Sequence, residues 1–193
     1  DEDRALVSLS SALYPKIIAL AKDNPRGLNM GRIGDLVNTP FVALNDVEIH
    51  ILPRGAFHKS LGEPYQDGKS VRGFWDPEKN TVVLNMSLID SPHLRKTITH
   101  ELRHALDDYK SNHAASSSDR YNRAREVDMP GLRGDPEYAS SPKEVNARYM
   151  AGMHMALLKI ARLKREGQGI EDIGKQLPDV IKNSFEVNNV AAV

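Results

Sequence analysis

The run His100-Glu101-Leu102-Arg103-His104 constrains this chain more than any other stretch. In a helix, two histidines four apart lie one above the other on the same face. Two imidazoles so placed can chelate one Zn²⁺ at about 2.0–2.1 Å each. Glu101 follows the first histidine directly, so its carboxylate can reach the metal's open position and take a proton from a water held there. Zinc lowers the pKa of such a water to about 7. The neighbours support a helix. Leu94, Ile98, Leu102, Ala105 and Leu106 recur at helical spacing and give one side to pack while the histidines face elsewhere. Ser91-Pro92 supplies an N-cap with Pro at the first helical position, and the expected helix spans residues 92–110. The competing reading is a solvated helix in which two histidines fall near a glutamate.

The stretch from Thr97 to Leu106 resembles the active-site helix of the zincin metallopeptidases, a local match over roughly a tenth of the chain. That family prefers uncharged residues between the Glu and the second His, and here Arg103 stands between them. Arg103 is expected to point away from the metal. A catalytic zinc needs three protein ligands and an open position. The metzincin branch would place Gly and His where this chain has Asp107 and Lys110, so that branch is excluded. The gluzincin branch takes a Glu from a later helix. By that resemblance the third ligand is Glu144, in the first turn of a helix announced by Ser141-Pro142. Ala147 nearby is small enough to let two helices approach.

Alternatives stay open. Ser141 and Glu144 also fit a capping box, in which the Glu bonds back to the cap's own N–H. Glu126 is the second candidate for the ligand. Asp107 and Asp108 follow His104 by three and four. They could ligate, Asp108 could orient a ligand imidazole, or both could form a solvated acidic helix end. Arg148, Tyr149 and Tyr138 are candidates for stabilising the oxyanion of an acyl-transfer reaction, although Arg148, four after Glu144, could equally form a plain ion pair. His50, His58, His93, His113 and His154 are expected to be structural. His154 sits ten residues, about 15 Å, beyond Glu144 and cannot share its metal.

Along the rest of the chain, residues 3–22 suggest one or two helices interrupted near Pro15. Residues 23–40 read as loop, 41–53 hold a strand best defined at Val47–Leu52, and 54–70 read as loop again. A hairpin follows, with strands 71–75 and 81–86 about a turn at 76–80. A hairpin leading into the motif helix is similar to the zincin layout. In that layout strand 81–86 would be an edge strand along the cleft, able to pair with an extended peptide. Residues 112–140 read as a long loop forming a wall of the cleft. A helix from 142 to about 166, apolar nearly all round, is expected at the centre of the core, with its methionines as packing. A short helix pair at 170–184, divided by Pro178, and a frayed tail close the chain. The whole is expected to be one domain, residues 1–193, with helical segments at 1–22 and 168–193. Its expected class is α+β and zincin-like: a small mixed sheet and hairpin packed on the motif helix, with a second metal-bearing helix.

Composition narrows the function. Lys plus Arg, 26, equal Asp plus Glu, 26, so nothing favours nucleic acid or an anionic membrane as partner. There is no Cys, which removes disulfides, thiol nucleophiles and Cys-ligated zinc, and sets aside the deformylases that share the motif. No apolar run is expected to span a membrane, and no signal peptide is visible. A soluble chain of unspecified compartment is expected, and a first residue of Asp1 suits an excised or processed piece. The resemblance implies a zinc-dependent metallopeptidase acting on a peptide or protein, with one Zn²⁺ per chain. His100, His104 and Glu144 would be its ligands and Glu101 its general base. The rivals are a non-catalytic module on the same scaffold and a zinc hydrolase of another amide or ester.

Overall fold

A computed structural model of the chain describes residues 2–61, 71–90, 93–113 and 142–186. The described part is mixed α and β, built on a four-stranded sheet with helices on both faces. The strands are β1 (Leu28–Arg32), β2 (Glu48–Leu52), β3 (Gly73–Asp76) and β4 (Thr81–Asn85), in the order β1-β2-β4-β3. β2 and β4 are parallel and the outer pairs antiparallel. The helices are α1 (Glu2–Asp23), α2 (Ile33–Leu36), α3 (Arg54–Leu61), α4 (Leu94–His113), α5 (Pro142–Arg165) and α6 (Ile170–Glu186).

Alternation along the strands decides which helix covers which face. Ile49 and Ile51 of β2 and Val82 and Leu84 of β4 point to one side. There they join Leu6, Leu9, Leu13 and Ile17 of α1 and Leu94, Ile98, Leu102 and Leu106 of α4 in the main core. Val83 points to the other side and packs with Phe74 of β3 and with Phe57 and Leu61 of α3. All five residues of β4 are therefore buried. β4 is an interior strand and not the edge strand expected. β3 is the edge beside α4, and Gly73 permits the close approach. A Cβ there would stand 3.0 Å from Thr97 Cγ2 and 3.0 Å from the carbonyl oxygen of Val83.

The hairpin and the β2 strand appear as expected, with Asn80 in the left-handed region (φ 52°) at the end of the turn. Five further expectations need correction. α1 is one helix through Pro15, because its apolar face of Leu6, Leu9, Leu13 and Ile17 continues across the proline. α6 likewise runs through Pro178, since Ile173 and Val180 on either side pack against Ala156 and Leu163 of α5. The segments expected as loop contain β1 and α2 (within 23–40) and α3 (within 54–70). α5 is not buried all round. Ala147, Met150 and Ala151 are buried, but Val145, Tyr149 and Leu157 face outward. α1 is long and apolar enough, by length and composition alone, to cross a membrane, against the expectation that no segment is. Its apolar face lies in the core described above. The wall at 112–140, the cap Ser91-Pro92, and Glu126, Tyr138 and Ser141 lie outside the residues whose side chains are described.

Candidate metal centre

α4 runs from Leu94 to His113, three residues past the expected end, and carries the motif through its middle. Its apolar stripe faces the sheet and α1, which turns His100 and His104 toward α5. α5 crosses that face with Ala147, fully buried, at the contact. The first turn of α5 delivers Glu144, which is 5% exposed.

Three groups expected to act together therefore meet. His100 Nε2 and His104 Nε2 are 3.0 Å apart, with their rings edge to face. Glu144 Oε1 is 3.5 Å from His100 Nε2 and its Oε2 is 3.3 Å from His104 Nε2. Ligands about 2.0–2.1 Å from a tetrahedral ion stand about 3.3 Å from one another. The three separations bracket that value, so the donor set suits a small ion in both chemistry and size. His100, Glu101 and His104 also offer ligand atoms that all lie within 4.8 Å of one another and could hold a metal ion. Glu101 is buried and, among the described residues, has no hydrogen-bond partner.

The electrostatics bind the cluster together. Burial disfavours the charged form of His100, but the hydrogen bond to Glu144 and the charges of Glu101 and Glu144 outweigh it, so the His100 pKa is raised. Burial would raise Glu144, yet both histidines hold it far below the usual carboxylate range. Arg148 donates from Nε to Glu144 Oε1 at 2.8 Å, four residues on along α5. Of the two uses foreseen for Arg148, the ion pair is the one observed. Tyr149 is half exposed, on the outer side of α5. His104 Nδ1 is buried without a hydrogen-bond partner among the described residues.

The acids that follow the motif are not a solvated helix end. Asp107 and Asp108 are 7% and 6% exposed. Asp108 accepts the indole N–H of Trp75 at 2.7 Å, which fastens α4 to the edge strand β3. Asp107 accepts from Arg103 at 2.8 and 3.1 Å and from Asn146 Nδ2 at 3.0 Å. The bond of Asp108 was not legible in the sequence, because Trp75 comes from a distant segment; Asp107 has one local partner, Arg103 at i−4, and one distant partner, Asn146. Arg103 turns away from the histidines, as expected, and also meets Glu2 at 3.0 Å and Asp3 at 3.6 Å. Lys110 adds a second contact to Glu2, at 2.7 Å.

His154 has the structural role expected of it, and a specific one. The Thr99 hydroxyl donates to the carbonyl of Arg95, so its oxygen is left to accept from His154 Nδ1 at 2.5 Å. His154 Nε2 then accepts from Ser11 Oγ at 3.0 Å. This assigns a neutral Nδ1–H tautomer from the network. Burial and the charge of Arg95 push its pKa down to about 4. The ring joins α1, α4 and α5. His50 lies part-exposed on β2, bonded to Glu48 at 2.9 Å, and His58 is buried on α3 against Phe57.

Compared with protein-family models, curated proteins and solved structures, the chain matches none of them.

Proposed function

We propose that the chain is a zinc-dependent metallopeptidase of zincin-like, gluzincin-like build. His100, His104 and Glu144 would hold the ion and Glu101 would act as general base. The observation that carries this reading is the triangle of 3.0, 3.5 and 3.3 Å among the three donor groups, with Glu101 beside it. Bound there, zinc would supply Lewis acidity and a water acidified to near neutral pH.

The chain's own residues account for the rest. Glu101 takes a proton on its carboxylate and later returns it to the leaving amine, so one group serves as base and then acid. Burial of Glu144, 5% exposed, strengthens its field at the two histidines. Arg148 fixes the rotamer of Glu144 through its 2.8 Å bond. The edge of the sheet beside α4 is β3, so an extended substrate adding to the sheet would pair with β3 rather than β4.

A second reading rests on the same contacts. The bond between His100 and His104 and the bond from Arg148 to Glu144 would also serve a closed polar cluster with no catalytic task. Glu101→Gln separates the two. The variant is expected to keep its metal and lose about 100-fold or more of peptide hydrolysis, the scale of a lost general base. Unchanged turnover, or no hydrolysis by the parent of any peptide in a broad panel, would contradict the peptidase reading.

A further inference from the structure

A cavity of about 440 Å³ lies between the start of α4, the outer half of α5 and α6. None of His100, Glu101, His104 or Glu144 lines it. Met155 and Val180 form apolar wall, while His93, Lys96 and Lys159 bring nitrogen to it. We propose that this cavity binds a carboxylate carried on an apolar body, with the Lys96 ammonium as its counter-ion.

Lys96 is the group that calls for a ligand. It is 9% exposed, yet among the described residues no carboxylate pairs with it. Its Nζ donates to the main-chain carbonyl of Ser184 at 3.2 Å, and an ammonium has two further donors. The charges that act on it, Arg72 and Arg148, have its own sign, and together with burial they lower its pKa. A buried cation among like charges is costly unless an anion or hydrogen bonds compensate it. His93, which also lines the cavity, has its pKa lowered by burial and by the charges of Arg72 and Lys96. Lys159 is exposed at the rim. The acid in the lining, Asp179, is exposed as well and does not figure among the charges acting on Lys96.

The apolar wall decides the class of anion. Met155 and Val180 give nothing to a fully hydrated inorganic ion but reward a hydrocarbon body. The volume falls within the roughly 300–1,000 Å³ of small-molecule sites. Lys96 precedes His100 by one turn, about 6 Å along the α4 axis, so the site neighbours the proposed metal centre without sharing its groups.

The probes are octanoate and octanamide, with a short apolar peptide as its free acid and as its C-terminal amide, titrated into the full chain by calorimetry. The acids are expected to bind at one site, about ten-fold or more tighter than their neutral amides. Lys96→Met is expected to remove that preference while leaving metal content unchanged. If Lys96→Met does not fold, Lys159→Glu at the exposed rim should still weaken the acids relative to the amides. Tighter binding of octanoate assigns the site to small organic acids, and tighter binding of the peptide acid assigns it to peptide ends; both support the proposal. No binding of any acid at about 10 mM, equal binding of acid and amide, or an acid preference that survives both variants would overturn it. Because binding and metal content are read separately from hydrolysis, failure here is distinct from failure of the peptidase reading.

Discussion

Arg103 stands where a charge departs from the zincin resemblance, and its surroundings explain how the position tolerates one. Its guanidinium is buried away from the histidines and shared among Asp107, Glu2 and Asp3. Removing one partner of a buried pair leaves the other charge uncompensated, typically at a cost of about 3–5 kcal/mol. Arg103→Met should therefore cost about 3 kcal/mol in urea unfolding, toward the lower end because Asn146 still donates to Asp107. A loss below about 1 kcal/mol would show that the network is worth no more than an exposed pair. At this scale the sequence was informative where chemistry is local. The spacing of His100 and His104 and the position of Glu101 are properties of one helix. Glu144 was reachable only through the resemblance, since nothing in the residues themselves says which distant acid a folded chain brings back. The roles of Asp107 and Asp108 stayed open because Trp75 and Asn146 come from other segments; the local pairing of Asp107 with Arg103 at i−4 was the one signal available.

The elements show the same division. α4, β2 and the hairpin were legible because their periodicity is strong and unbroken, and α5 because of its long apolar run after Ser141-Pro142. β1 was not. It carries Gly31 at φ +87° and a register irregularity between Asn29 and Arg32, which destroy the alternation that marks a strand. α3 was hidden by Gly55 and its polar residues, although Phe57 and Leu61, four apart, were the signal available. The place of β4 inside the sheet depends on its parallel pairing with β2, a long-range choice that no local pattern encodes.

The junction of α1, α4 and α5 also gives a pH dependence. His154 in the folded chain has a pKa of about 4, below the ordinary 6.5. Between those values the unfolded chain takes up a proton that the native chain resists. The stability linked to His154 is therefore fully present above about pH 6.5, falls as pH drops toward 4, and then levels off. The size is on the order of 3 kcal/mol. His100, whose pKa is raised, contributes with the opposite sign in metal-free protein, so the test compares the parent with His154→Gln. The variant should lose less stability than the parent between pH 7 and 4. Identical slopes would mean that His154 takes up its proton without opening the junction.

For the molecule as a whole, a metal held at the candidate centre would couple to stability. Its donors come from two helices that only folding brings together, so an ion bound there stabilises the native state alone. At a thousand-fold excess over its dissociation constant that amounts to about 4 kcal/mol. For a chain of this size the same energy is roughly 10 °C of melting temperature. Chelation should lower the parent's melting temperature by about that much and leave Glu144→Ala nearly unmoved. A parent indifferent to chelator would argue for the closed polar cluster. The small second core between α5 and α6, built on Ala156, Leu163, Ile173 and Val180, contains none of these donors.

The most direct test is the metal content of the purified chain by plasma emission, beside Glu144→Ala. One zinc per chain in the parent, lost or greatly reduced in the variant, is the predicted result. A parent that takes up no zinc after reconstitution, or a variant that holds it as well as the parent, would contradict the assignment of His100, His104 and Glu144 as a metal centre.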